Sequence, residues 1–155
     1  MSDLRGTNFD HADAQGARYR AADLTATSFV GTNLTNARFE SSDLSGSNLT
    51  DANLTDAKFG RCAFKDAKFG GVILDGTAFN MCDLGDVSFD EITLRGTIFD
   101  KSSLSGATFK GAVLENVSFH HSEAKKTNFE GATMDKITYA LLKAAKANIE
   151  NVTIK

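Results

Sequence analysis

Large apolar side chains recur at every fifth position along almost the whole chain. The series begins with Leu4 and Phe9 and continues in one phase to Ile149 and Ile154. All twelve Phe and both Tyr fall on this phase, and a small or β-branched residue stands two positions before most of these large ones. Two apolar positions in five match neither the 3.6-residue period of a helix nor the alternation of a flat strand. The pattern therefore predicts short strands separated by regular corners.

Glycine marks the predicted corners, and a second period sets the size of the coil. Ten of the thirteen glycines lie two residues after the large residue, where a turning backbone benefits from a positive φ. Aromatic and aliphatic large residues alternate from one five-residue unit to the next. Aromatic residues can stack on aromatic ones, and aliphatic on aliphatic, only if a coil holds an even number of units. Four is the smallest even number of units that closes a coil. The sequence thus predicts a four-sided parallel β-helix.

Several of the five-residue units share a motif. Examples are ADLTA at 22–26, TNLTN at 32–36, ANLTD at 52–56 and AKFGG at 67–71. These units resemble the A-(D/N)-L-x-x motif of pentapeptide repeat proteins, and the resemblance covers essentially the whole chain. It implies an all-β fold, a single right-handed parallel quadrilateral β-helix of almost eight coils in one domain, residues 1–155.

The predicted core consists of the large residues that point into the coil. The residues expected to stack there are Phe29, Phe39, Phe59, Phe69, Phe79, Phe89, Phe99, Phe109, Leu34, Leu54, Leu74 and Leu94. Each coil should bury these side chains against the coils above and below it. The stability of such a fold is close to a sum of contacts between neighbouring coils.

The segment from Tyr139 to Ala147 (YALLKAAKA) interrupts the pattern. It is rich in strong helix formers and places Leu142 where a small residue belongs. Two interpretations remain open: a short C-terminal helix, or a further coil with one irregular side. The coil is favoured, because residues 147–155 resume two regular units in the original phase. The resemblance also implies that the terminal coil can join two copies into a homodimer.

One column of the predicted coil is acidic. Residues twenty apart should stack on one wall, and this column, which we name the acidic ladder, holds Asp3, Asp23, Asp43, Asp83 and Glu123. Some pentapeptide repeat proteins, notably those that confer quinolone resistance, resemble DNA in width and charge and bind DNA gyrase. An anionic rod can do so because the DNA groove of the enzyme complements a regular negative column. The net charge of −3 is mild, so gyrase binding is the alternative hypothesis.

Cationic columns accompany the acidic ladder. One holds Arg5, Lys65 and Lys125, and another face carries Arg18, Arg38 and Lys58. Charges of both signs on neighbouring faces are also what an ordinary solvated surface shows. The favoured hypothesis is therefore a structural or interaction module that presents a rigid rod to a protein partner, without direct binding to nucleic acid.

No catalytic, cofactor-binding or metal motif stands out in the sequence. His120 is expected one coil above Asp100, where an exposed ion pair is favoured over a catalytic pair or two metal ligands. Cys62 and Cys82 occupy inward small positions of successive coils, where packing is the expected role. We therefore predict a protein that is not an enzyme and needs no cofactor. The lack of a leader-like or membrane-spanning apolar stretch favours the cytoplasm.

Overall fold

The structure, a computed structural model, describes residues 2–155 and shows a parallel β-solenoid of about 8 turns with one short C-terminal helix. Its strands are β1 Ser2–Asp3, β2 Arg18–Arg20, β3 Ala22–Asp23, β4 Arg38–Glu40, β5 Lys58–Gly60, β6 Ala78–Asn80, β7 Thr93–Arg95, β8 Val113–Glu115, β9 Thr133–Met134 and β10 Thr153–Ile154, with helix α1 at Lys136–Ala144 between β9 and β10. The predicted fold is confirmed.

The strands pair in parallel with a constant register of twenty residues. Phe39 lies opposite Phe59, and Leu94 lies opposite Leu114. Isolated bridges with the same register continue the ladder on the other sides of the coil, for example from Asn33 to Asn53. Twenty residues contain four five-residue units, so the register confirms that each coil has four sides.

The corners have positive φ, as the position of the glycines predicts. The ten glycines two residues after a large residue all have φ between 61° and 80°. Among residues 2–155, sixteen further residues with positive φ are not glycine, and Met81, with φ 55°, is a bulky example. The corner is thus set by the repeat, and glycine relieves its backbone strain only where it occurs.

The core is a column of stacked side chains inside the coil. The predicted core residues Phe29, Phe39, Phe59, Phe69, Phe79, Phe89, Phe99, Phe109, Leu34, Leu54, Leu74 and Leu94 are all at most 2% exposed. Ring centroids of residues twenty apart lie close, at 4.6 Å for Phe39 and Phe59 and 5.3 Å for Phe79 and Phe99. Inward threonines satisfy their hydroxyl groups by donating to a carbonyl of the preceding coil, as Thr77 does to Leu54 at 2.7 Å.

The favoured prediction for the C-terminal segment, a coil with one irregular side, is wrong, because α1 forms there. Asp135 caps α1, with its Oδ1 accepting hydrogen bonds from the backbone N–H groups of Ile137 at 2.8 Å and Thr138 at 2.9 Å. Leu142, a residue of α1, is fully buried. The predicted return of the repeat is nevertheless correct, since Asn148 bridges to Asn128 with the usual register.

The coil has four walls, which we number by one outward residue of a central coil. The first wall carries Ala63 and the acidic ladder, the second Lys68, the third Ile73 and the fourth Ala78. Strands β2, β4, β5 and β6 form a four-stranded parallel sheet on the fourth wall. Strands β7 to β10 form the corresponding sheet on the third wall.

Candidate interaction surfaces

The acidic ladder forms one column on the first wall. The register pairs Asp3 with Asp23 and Asp23 with Asp43, and then passes through Ala63 to Asp83. Beyond Asp83 the column continues through Ser103 to Glu123. The structure therefore brings the five acidic residues onto one wall, with two neutral interruptions.

Each aspartate of the ladder also holds the turn that follows it. The Oδ1 atom of Asp43 accepts a hydrogen bond from the backbone N–H of Ser45 at 2.9 Å, and Asp83 accepts one from Gly85 at 3.1 Å. Asn53, on the third wall, accepts the same bond from Thr55 at 3.0 Å. The turn needs a side-chain oxygen and not a charge, so asparagine would build this wall as well as aspartate does.

A neighbouring arginine partly neutralises the first two levels of the ladder. Arg5 pairs with Asp3 at 2.8 Å and lies 3.6 Å from Asp23. The hydrogen bond from the Arg5 side chain lowers the pKa of Asp3 to about 2. Levels of the ladder are about 4.8 Å apart, whereas duplex DNA carries one negative charge per about 1.7 Å. The ladder is therefore much less densely charged than DNA.

The fourth wall carries the opposite charge. Arg18, Arg38 and Lys58 lie directly opposite one another on β2, β4 and β5, and all three are exposed. Arg20 is exposed beside them on β2. Within residues 2–155, none of these four side chains makes an ion pair. We name Arg18, Arg20, Arg38 and Lys58 the basic wall.

A shallow groove of about 470 Å³ runs over the basic wall. The four cations line it together with Glu40, Gly60 and Ala78. The carboxylate of Glu40 does not serve Arg20, its partner in register, because it pairs with Arg61 at 2.7 Å. The groove is thus lined by four long cationic side chains and by the small residues Gly60 and Ala78.

The expected ion pair between His120 and Asp100 is not what the structure shows. The Oδ1 atom of Asp100 accepts hydrogen bonds from the backbone N–H of His120 at 3.0 Å and from the Ser118 hydroxyl at 2.6 Å. The carboxylate therefore ties one coil to the next through the backbone. In the described part of the chain, no cluster of His, Cys, Asp and Glu could hold a metal ion.

The two cysteines are free and buried in successive coils. The Sγ atom of Cys62 donates to the carbonyl of Gly60 at 3.4 Å, and that of Cys82 donates to the carbonyl of Phe59 at 3.5 Å. Hydrogen bonding with Cys62 and burial both raise the pKa of the Cys82 thiol. The buried Cys82 thiol therefore packs as a small apolar side chain.

The geometry defines a class, the four-sided β-solenoid with five-residue sides. The sequence profile described as a pentapeptide repeat region matches residues 2–69 and 62–139. The chain belongs to the pentapeptide repeat family. Proteins of this family are generally structural or interaction modules.

The chain is similar to two solved structures at low sequence identity. The chain is 17% identical to QnrB1, a plasmid-mediated fluoroquinolone resistance protein, over 99% of this chain and 82% of that one, with a TM-score of 0.48. It is 20% identical to HetL, a pentapeptide repeat protein involved in heterocyst differentiation regulation from the cyanobacterium Nostoc sp. strain PCC 7120, over 85% and 74% of the two chains, with a TM-score of 0.37. No curated protein matches the chain. Among residues 2–155, no helix is long and apolar enough to cross a membrane.

Proposed function

We propose that this protein is a non-enzymatic interaction module that presents the walls of a rigid rod to a protein partner. The observation that carries the proposal is a set of charged side chains that the coil itself does not require. Asn53 holds its turn as Asp43 does, so the charge of Asp43 is free to serve another purpose. The same holds for the cations of the basic wall, which make no ion pair within residues 2–155.

The rigidity of the rod supports this proposal. Backbone hydrogen bonds join each coil to the next, and the stacked aromatic core is buried. The Cα atoms of the outward residues therefore lie at fixed distances from one another. A partner that docks on such a wall orders little of the rod, and pre-organisation of this kind favours binding.

Photo-crosslinking from the four walls tests the proposal. A photoreactive amino acid is placed singly at Ala63, Lys68, Ile73 or Ala78, which face outward from the same coil in steps of five residues. We expect a discrete crosslinked protein in the native cells from one wall, identified by mass spectrometry. Equal, diffuse labelling from all four positions would contradict the proposal.

A second candidate function is mimicry of DNA, with DNA gyrase as the partner. The specific observation in its favour is the free part of the acidic ladder, since Asp43, Asp83 and Glu123 make no ion pair within residues 2–155. The acidic ladder carries fewer charges per unit length than duplex DNA, and mimicry of DNA is therefore the second candidate.

A gyrase supercoiling assay tests the second candidate. The triple variant D43N/D83N/E123Q keeps the side-chain oxygens and removes only the charges that make no ion pair within residues 2–155, so it should fold as the wild type does. If the ladder is the mimic, the wild type should inhibit supercoiling and the triple variant should not. No effect of the wild type at micromolar excess would remove this candidate.

We also propose that two copies associate through the terminal coil. Ile154, on the terminal strand β10, is 45% exposed, and β10 pairs with β9 on one side. Sedimentation should detect a dimer that the variant I154D weakens. A wild-type protein that sediments as a monomer at 100 μM would contradict this proposal.

We infer a cytoplasmic location, because both cysteines are free thiols, as a reducing compartment would keep them. Cell fractionation with an antibody against the native protein tests the location. Recovery in the membrane or secreted fraction would contradict it.

A further inference from the structure

We propose that the basic wall binds an acidic segment of a partner protein, laid along the rod in the groove of the fourth wall. This inference rests on the proposed function and adds the surface and the chemical class of the partner. It joins three observations: a stack of like charges, a carboxylate held away from it, and an acidic column on the adjacent wall.

The first observation is the stack itself. Arg18, Arg38 and Lys58 lie opposite one another on adjacent strands, and like charges in this position destabilise a sheet. The coil does not need them, because the same column continues upward through Ala78 and Ile98. The stacked cations therefore lower the stability of the sheet and do not help to build the coil. Interfaces place charged patches opposite patches of the other sign, so an oppositely charged partner would offset this repulsion.

The second observation is the position of Glu40. In register it faces Arg20, but its carboxylate lies over Gly60, at the end of β5, and accepts a hydrogen bond from the next residue, Arg61. Gly60 makes this possible, because a Cβ at that position would collide with the Glu40 carboxylate. The Glu40 carboxylate is thereby paired with Arg61, and Arg20 is left available beside the three stacked cations.

The third observation limits the width of the partner. Asp23 and Asp43 lie on the first wall, which adjoins the fourth wall in the same coils. A DNA duplex or an anionic bilayer would extend beyond one wall and meet these carboxylates, and the chain as a whole has a net charge of −3. A narrow anionic ligand can remain on the fourth wall alone.

The spacing of the cations favours a peptide. Neighbouring strands are about 4.8 Å apart, and side chains three or four residues apart on a helix are about 5–6 Å apart. A helical segment with Glu on one face therefore places successive carboxylates near successive cations. The long side chains of Arg and Lys absorb the remaining mismatch.

Fluorescence anisotropy with a defined probe tests the proposal. The probe is a labelled, alanine-based 18-residue helical peptide with Glu at every fourth position, and its control carries Gln at the same positions. We expect the protein to bind the Glu peptide at least tenfold more tightly than the Gln peptide at low salt. No binding of the Glu peptide at 1 mM would overturn the proposal.

A matched pair of variants assigns the binding to the wall. R18Q/R38Q/K58Q removes the stack, and K65Q/K68Q/K110Q removes the same charge from exposed lysines elsewhere. The first variant should weaken binding at least tenfold and melt at or above the wild-type temperature, because the repulsion is gone. The second should weaken binding less than threefold. Equal weakening by both variants, or none by the first, would overturn the proposal.

Two further probes test the class of the ligand. Single-stranded dT20 and vesicles with 30% phosphatidylserine should bind more weakly than the Glu peptide, and tighter binding of either would overturn the assignment to a protein segment. A discrete crosslink from Ala63, Lys68 or Ile73, but not from Ala78, would contradict this inference and leave the proposed function standing. Failure to crosslink from any wall would contradict the proposed function itself.

Discussion

The body of the rod and its last coil bury their apolar residues in different ways. From Ala22 to Phe119 every side is a short extended segment, and the large inward residues are at most 3% exposed. In the last coil α1 replaces two sides and contributes Leu142 to the core, while Ile149 is only partly buried. The body depends on contacts between residues twenty apart, whereas the last coil also depends on local contacts within one helix.

The difference shows that a repeat can tolerate the loss of its pattern if the replacement has the same length in residues. Thr138 donates its hydroxyl to Asp135 at 2.8 Å and accepts the N–H of Val117 at 3.1 Å. The first turn of α1 therefore hydrogen-bonds to the coil beneath it. Because the chain re-enters the register at Asn148, the helix does not change the walls that lie on either side of it.

The largest effect is expected from a truncation in the body. Leu94→Ala removes a fully buried side chain from the stack and should lower the free energy of unfolding by about 2–5 kcal/mol. Chemical denaturation measures this change. Ile137→Ala in the last coil is the control, because this side chain is 67% exposed and should cost less than about 1.5 kcal/mol. Equal losses in the two variants would contradict the comparison.

A smaller effect is expected from the cap of α1. Asp135→Ala removes the acceptor for the N–H groups of Ile137 and Thr138 and should cost about 1–2 kcal/mol of local stability. Hydrogen exchange should become faster at Asn116, whose N–H also donates to Asp135, and in residues 136–155, and it should stay unchanged in the rest of the body. Asp135→Asn, which keeps one acceptor, should be intermediate. Faster exchange throughout the chain would show that the last coil and the body unfold together.

Acid should loosen the last coil through the same residue. Hydrogen bonds from Thr138 and Asn116, opposed by desolvation, hold the pKa of Asp135 below its ordinary value of 3.8. A lowered pKa in the folded state means that its stabilisation is present above pH 3.8 and is lost as the pH falls through the folded-state value. The helical circular dichroism signal should fall in that range. The variant D135N should lack this acid transition.

The smallest effect is expected at a corner of the body. Met81 has φ 55° and is 48% exposed, so Met81→Gly removes backbone strain without opening the core. Relief of about 1–2 kcal/mol is partly cancelled by the greater freedom of glycine in the unfolded chain, about 0.5–1 kcal/mol. Thermal unfolding should show a gain of about 0–1.5 kcal/mol. A loss of stability would mean that the Met81 side chain itself stabilises the corner.

Much of this fold could be predicted from the sequence, because every coil repeats the same short-range rule. The phase that carries Phe79 and Leu94 also identifies the buried residues, and the corner glycines identify the positive φ positions. The helix was harder to predict. Its signals, the helix formers of residues 139–147 and the capping Asp135, compete with a repeat that resumes in phase immediately afterwards.

The sequence predicts which charged residues share a column on a wall, but not which of them form ion pairs. The columns of Asp23 and Arg38 follow from the period alone. Which of these charges remain free does not, because long side chains reach across strands and corners. Asp100 illustrates the difference, since the expected imidazole partner is replaced by the backbone of His120 and the hydroxyl of Ser118.

The sequence by itself determined the period, the four sides, the core and the order of residues on each wall, because a coil of constant length converts spacing along the chain into neighbours in space. The tertiary structure alone decided that α1 forms, that Arg5 pairs with Asp3 of the ladder, and that Glu40 pairs with Arg61 and leaves Arg20 available. In each case a side chain or segment has more than one possible partner nearby. The length of the side chain and the local packing decide between them, and the repeat pattern does not show the result.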